Sequence, residues 1–207
     1  MSEPRWLEWI RELQAMAQTG LTFTHDPYDR ERYRRLRALA AEMLAAGTGE
    51  DFGHVHSVLE RDVGYATPKV DVRGAVFRGD RILLVREVSD GGWCLPGGWA
   101  DVNQSPTECV EREILEESGF KARAVKVVAL HDYRRQGHTS LHPHSIYKLF
   151  FLCEMLGGEA RTSLETDGVD FFRLQDLPTL SIGRTNPGQL QLMFEHRLNP
   201  QLPTEFH

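Results

Sequence analysis

Apolar positions recur at helical spacing in the first third of the chain and at strand spacing in the rest. In residues 3–19, Trp6, Ile10, Leu13 and Ala17 share one face, with Leu7 and Met16 beside it. This predicts an amphipathic helix that stops at Gly20. Asp26-Pro27 predicts the start of a second helix running to about Ala46, with Tyr33, Leu36, Ala40, Met43 and Leu44 on its apolar face and arginines on the other. A short third helix fits between Asp51 and Arg61. Residues 64–69 (GYATPK) form a linker by composition. Residues 69–77 then alternate and are rich in valine, as a strand requires. Gly79-Asp80 predicts a hairpin turn, and residues 81–87 its return strand. Further strands are predicted at 125–130, 145–154 and 168–173, with Gly157-Gly158 as a turn and 174–177 as a strand-to-helix turn. A last helix over 186–198 turns Leu190, Phe194 and Leu198 inward. The pattern divides the chain into a small all-α domain, 1–65, and an α/β domain, 66–207, with a mixed sheet between helices.

Composition changes this picture little. Hydrophobic residues make up 41% and charged residues 26%, ordinary values for a globular protein. The net charge of −6, without a basic block, argues against a nucleic-acid partner. Cys94, Cys109 and Cys153 are odd in number and lack metal-ligand spacing, which predicts reduced thiols and a cytoplasmic location. The charged opening MSEPRWLEWIRELQ predicts no secretory leader. No apolar run approaches the roughly 20 residues that span a bilayer, so no membrane association is expected.

The chemistry concentrates in residues 97–120, GGWADVNQSPTECVEREILEESGF. Ser105, Pro106 and Glu108 form a capping box with proline at the first helical position, and Gly119 is a natural stop. A helix over 106–118 follows. Val110 and Ile114, with Leu115 beside them, can dock it on a sheet, and Arg112 can reach Glu116 one turn on. Glu113, Glu116 and Glu117 lie at i, i+3 and i+4, on one face. A charge run of this kind is ordinarily a solvated face. The preceding Gly97-Gly98 turn, where backbone can approach a phosphate at a helix start, points instead to a divalent cation bridging to phosphate.

Gly98 and the run Arg112, Glu113, Ile114, Glu116, Glu117, Gly119 and Phe120 resemble, in identity and spacing, the signature of the Nudix hydrolases. One position departs, since Gln104 stands where the family carries its first glutamate. The helical start, TPKVDVRG, GGWADV and LETDGVDFF together look like one subgroup, with an N-terminal helical domain and ADP-ribose or CDP-choline pyrophosphatase activity. The resemblance implies an α/β/α sandwich with a mixed sheet. The N-terminal helices are too few for a large core, which predicts that Trp6, Ile10 and Leu36 bury against a partner subunit or the catalytic domain, with a homodimer the expected state. The resemblance also implies hydrolysis of a nucleoside diphosphate linked to another group, giving a nucleoside monophosphate and a phosphorylated product. Glu113, Glu116, Glu117 and the Gly97 carbonyl would hold Mg2+ or Mn2+. Glu113, Glu117 and Glu165, with Asp167 as the substitute for Glu165, would act in catalysis. Arg73 would grip the diphosphate as a guanidinium fork. Trp99 is assigned to substrate contact, with core packing as its alternative. No organic cofactor is implied. The competing readings are hydrolysis of oxidised nucleoside triphosphates and a catalytically silent nucleotide sensor.

Two groups remain. His138, His142 and His144 lack a further ligand at familiar spacing and predict a polar loop at a pocket rim rather than a metal site. Phe23, Tyr28 and Tyr33 predict core packing, with stacking on a nucleobase as the alternative.

Overall fold

The computed structural model describes residues 4–136 and 142–206. The chain forms two compact units, one of residues 1–68 with 141–145, the other of 69–140 with 146–207. His138 lies outside the described residues.

The first unit holds helices α1 (Arg5–Phe23), α2 (Pro27–Thr48) and α3 (Phe52–Arg61). Leu7, Ile10, Ala40, Ala41, Leu44, Val55 and Leu59 form its core. Asp26 caps α2 through the amides of Tyr28 and Asp29, both at 2.9 Å, with Pro27 following. Gly20 does not end α1. A Cβ there would fall 2.5 Å from the Tyr33 ring, so this glycine marks where α2 packs against α1, and the helix continues to Phe23. Met16 is exposed, whereas Arg11, Gln14 and Gln18 are buried. Phe23 and Tyr28 are also exposed, against the expectation of core packing for both. Arg11 donates to the carbonyl of His142, and Gln18 donates to that of Gly64.

The second unit is built on one seven-stranded mixed sheet. Its strands are β1 (Lys69–Arg78), β2 (Arg81–Glu87), β3 (Trp93–Cys94), β4 (Phe120–Asp132), β5 (Ile146–Gly158), β6 (Thr166–Phe172) and β7 (Glu205–Phe206). The order is β3-β2-β1-β5-β4-β7, with β6 pairing β2. β1 and β5 run parallel at the centre, with Val72 opposite Leu149. Helix α4 (Pro106–Ser118) covers one face, where Val110 and Ile114 meet Val72, Val76, Leu83 and Phe151. Helix α5 (Pro187–Leu198) covers the other, where Leu190 and Met193 meet Ala75, Ile82, Leu84 and Phe150. Alternation along each strand feeds both cores: Val72 and Ala75, Leu83 and Leu84, and Phe151 and Phe150 face opposite ways.

Several predicted boundaries shift. β3 and β7 are too short to show a periodicity. Gly157 and Gly158 extend β5, pairing with Lys121 and Phe120, rather than forming a turn. Leu198 is 78% exposed, and Met193 takes the inward place assigned to it. Among the described residues no helix is long and apolar enough to cross a membrane, and all three cysteines are free and buried.

Candidate active site

Helix α4 forms as its sequence dictates. Ser105 Oγ accepts from the Glu108 amide at 3.3 Å while Glu108 Oε2 accepts from the Ser105 amide at 2.7 Å, and Gly119 closes the helix at φ 77°. The helix therefore starts and stops where it must to set Glu113 and Glu117 beside the glycine turn. That turn is built against β1. The Gly98 carbonyl accepts from Val72 N at 2.8 Å and the Pro96 carbonyl from Gly74 N at 2.9 Å. A Cβ on Gly97 would fall 2.0 Å from the Val72 carbonyl oxygen, and its φ of 141° suits glycine alone.

Glu117 is 5% exposed and accepts from the Gly97 amide at 2.9 Å. Burial pushes its carboxyl up to about 7, with Arg73 and the Gly97 amide opposing, and Glu113 and Glu87 adding to the rise. Glu113 sits across the turn, where a Cβ on Gly98 would lie 3.2 Å from its Oε2. Burial raises its carboxyl too, with Arg112 opposing and Glu116 reinforcing.

Glu116 faces outward, bonded to Arg112 Nη1 at 2.7 Å. Arg112 also lies 3.0 Å from Glu113, bonds Asp101 at 2.9 Å and bonds Gln104 at 3.1 Å. Its guanidinium stands between carboxylates that were expected to share one coordination sphere. Among the described residues, no three His, Cys, Asp or Glu side chains converge as a metal would require. The donor set nevertheless fits a hard divalent cation. Glu113 and Glu117 are oxygen donors beside a backbone without side chains, and burial raises the proton affinity of both although Arg112 and Arg73 oppose it, a desolvation cost that a bound cation would offset.

Arg73 departs from its expected role. It is 4% exposed, and its fork is already bidentate on Asp71, Nε to Oδ1 and Nη2 to Oδ2, both at 2.9 Å. Its Nη1 donates to the Leu95 carbonyl at 3.1 Å, so it braces the strand leading into the glycine turn. Burial acts to depress its pKa, but Asp71 outweighs this and holds it well above the usual arginine value. Strand alternation explains the burial. Arg73 lies on the α5 side of β1, two residues from Ala75, beneath the turn rather than at the surface.

Trp99 is 47% exposed and bridges by its backbone to Asp71, so it is not a core residue. Glu165 is exposed, and its carbonyl accepts from Val88 N at 2.9 Å. Its neighbour Thr166 donates to the Glu117 carbonyl at 2.8 Å, which ties this loop to the end of α4. Asp167 is ion-paired with Arg86 at 2.6 Å, so Glu165 has the less encumbered carboxylate. His142 and His144 belong to the first unit, their rings 5.7 Å apart.

Sequence reasoning missed a buried polar chain below the turn. Cys94 Sγ donates to Glu87 at 3.2 Å, and Arg184 pairs with Glu87 at 2.9 Å. Lys148 donates to the Arg184 carbonyl and lies 3.8 Å from Asp71. Burial pushes the Lys148 amine down to about 8, with Asp71 opposing, and pushes the Cys94 thiol far up. The available signal was a charge inside each apolar strand, in KVDVRGAVF and IYKLFFL. Asp71 and Lys148 are direct partners across the β1 and β5 pair.

Comparison with known proteins places this geometry. A family model described as the NUDIX domain matches residues 67–193. Another, described as a UDP-X-like N-terminal oligomerisation domain, matches residues 4–59. The chain is 42% identical over 204 residues to the Bacillus subtilis (strain 168) protein named "Putative ADP-ribose pyrophosphatase YjhB", covering 99% of this chain and 98% of that one. It is similar to the crystal structure of an ADP-ribose pyrophosphatase from Streptococcus suis 89-1591, with TM-score 0.63 and 42% identity, over 68% of this chain and all of that one. It is also similar to the crystal structure of a UDP-X diphosphatase, with TM-score 0.63 and 35% identity over the whole of both chains.

Proposed function

Because the chain belongs to the Nudix hydrolase family, we propose that it hydrolyses the diphosphate bond of a nucleoside diphosphate linked to a second group, with ADP-ribose or CDP-choline as the type. Water adds across one P–O–P link, and a nucleoside monophosphate and a phosphorylated partner leave. The observation that carries the reading is the pair Glu113 and Glu117 flanking the Gly97-Gly98 turn. The relatives support the substrate class, since one is named for ADP-ribose and another for a UDP-linked compound.

Glu113, Glu117 and the Gly97 carbonyl, joined by Glu116 once it turns from Arg112, would hold Mg2+ or Mn2+. When bound, such an ion would supply positive charge for the diphosphate and lower the pKa of a water. Arg112 orients Glu113 and Glu116 through its planar N–H groups. Glu117, held on the Gly97 amide, fixes the turn against the helix. Glu165 is the proton acceptor of this reading, carried on a loop that Thr166 secures to α4. Trp99 offers an exposed ring beside the turn for contact with the substrate. Arg73 acts by bracing Leu95 and adding positive charge beneath Glu117, not by gripping phosphate.

The first unit makes the protein a homodimer in this reading, as its match to an oligomerisation domain supports. Three free buried thiols suit a cytoplasmic enzyme. The test is turnover, with Mg2+, of a panel of ADP-ribose, CDP-choline, a UDP-linked sugar, NADH, a diadenosine polyphosphate and an oxidised guanine nucleoside triphosphate. Preference for the linked diphosphates supports the reading. Preference for the triphosphate, or turnover of none, overturns it.

A further inference from the structure

We infer that Asp101 is a positioning residue of the cation site, supplying the carboxylate that anchors Arg112 where this chain carries Gln104. The inference rests on the reading of Glu113, Glu116 and Glu117 as ligands.

Arg112 is permanently charged and offers five N–H groups in a fixed plane. Nη1 bonds Glu116 at 2.7 Å, and Nη2 lies 3.0 Å from Glu113. The same Nη2 bonds Asp101 at 2.9 Å, and Nε bonds Gln104 Oε1 at 3.1 Å. One guanidinium is thus shared between two carboxylates of the site and two anchors from the turn ahead of α4. Of the anchors, Gln104 presents a neutral amide oxygen and Asp101 a charged one. Both bonds are charge-assisted because Arg112 is ionised, but only the one to Asp101 also joins opposite full charges.

The consequence concerns competition. A cation must draw Glu113 and Glu116 away from Arg112. If Arg112 had only the amide of Gln104 besides, it would follow those two carboxylates and oppose the ion for them. Asp101 gives the guanidinium a negative partner of its own, outside the ligand set. The side chains of Asp101 and Arg112 are 64% and 27% exposed, so the pair adds little to folding stability. Its role is placement.

Four full-length proteins test this: the parent, Asp101→Asn, Gln104→Glu, and the double variant. Mn2+ binding is followed by the electron paramagnetic resonance of the free ion, and KM and kcat at saturating metal. Nitrogen-15 NMR reads the exchange rate of the Arg112 Nη–H protons without metal. Asp101→Asn is expected to weaken Mn2+ binding by about 10-fold or more, the usual scale for a residue behind a ligand, with KM for the diphosphate nearly unmoved. Adding Gln104→Glu to Asp101→Asn is expected to restore most of that binding, because a carboxylate at Nε then replaces the one lost at Nη2. Parent-like Mn2+ binding in Asp101→Asn, or a double variant as weak as the single, overturns the inference. A parent protein that binds no Mn2+ overturns the cation reading itself. The metal-free NMR then decides the anchor alone: faster Nη–H exchange in Asp101→Asn supports it, and an unchanged rate sinks it.

Discussion

Glu117 accepts the main-chain hydrogen of Gly97 at 2.9 Å, joining the last turn of α4 to the glycine turn across 20 residues of sequence. The carboxylate is buried, with this amide as its hydrogen-bond donor and the charge of Arg73 reaching it from below. Burial raises its proton affinity although Arg73 and that amide oppose, and a cation at this place would relieve the same cost.

Removing that charge while keeping the shape should cost catalysis. Glu117→Gln and Glu113→Gln are each expected to lower kcat by about 100-fold or more, since one group stabilising transition-state charge is worth several kcal/mol. Steady-state kinetics across a Mg2+ titration measures this. A parent-like kcat in either variant would place the chemistry elsewhere.

The Glu117 carboxyl also makes a pH prediction for the metal-free protein. Its folded pKa of about 7 lies above the ordinary 4.5, so between these values the folded chain keeps a proton that the unfolded chain has released. Its contribution to stability is complete below about 4.5 and is lost as pH rises through 7. Urea unfolding in chelator should show the parent losing on the order of 3 kcal/mol relative to Glu117→Gln as pH rises through this window. A difference that is flat with pH would mean that Glu117 titrates as an exposed carboxylate does.

Asp71 and Arg73 form a buried pair, so removing one partner leaves an uncompensated charge. Asp71→Asn is expected to destabilise the protein by about 3–5 kcal/mol, read as a lowered urea midpoint. If Arg73 were instead a phosphate fork restrained by Asp71, the same variant would bind substrate more tightly with little loss of stability.

Sedimentation equilibrium should give the full chain twice its 23.6 kDa mass. A chain beginning at Thr67 should run as a monomer, because the segment matching an oligomerisation domain is gone. A dimeric truncated chain would move the self-association into the sheet domain.

Features set by local chemistry were legible in the sequence. Helix α4 begins and ends where its capping box and Gly119 place it, because both signals act within a few residues. The alternation in residues 69–77 gave a central strand for the same reason. What was not legible depends on distant partners. Gly20 reads as a stop until Tyr33 is seen against it. Arg73 reads as a surface fork until Asp71 and the Leu95 carbonyl are found around it. In the site, the signature placed Glu113 and Glu117 beside the turn, but the arrangement of Arg112 among Asp101, Gln104, Glu113 and Glu116 needs the fold of the loop ahead of the helix.

The central claim is diphosphate hydrolysis driven by a cation at the Glu113 and Glu117 pair, and product analysis tests it most directly. The full-length protein is incubated with ADP-ribose in isotopically labelled water, first with Mg2+, then with excess chelator, then with Mg2+ restored. Mass spectrometry should show AMP and ribose phosphate in equal amounts, one of them carrying a single labelled oxygen, with turnover abolished in chelator and recovered afterwards. Full turnover in chelator, or products cleaved anywhere but the diphosphate, would contradict the account.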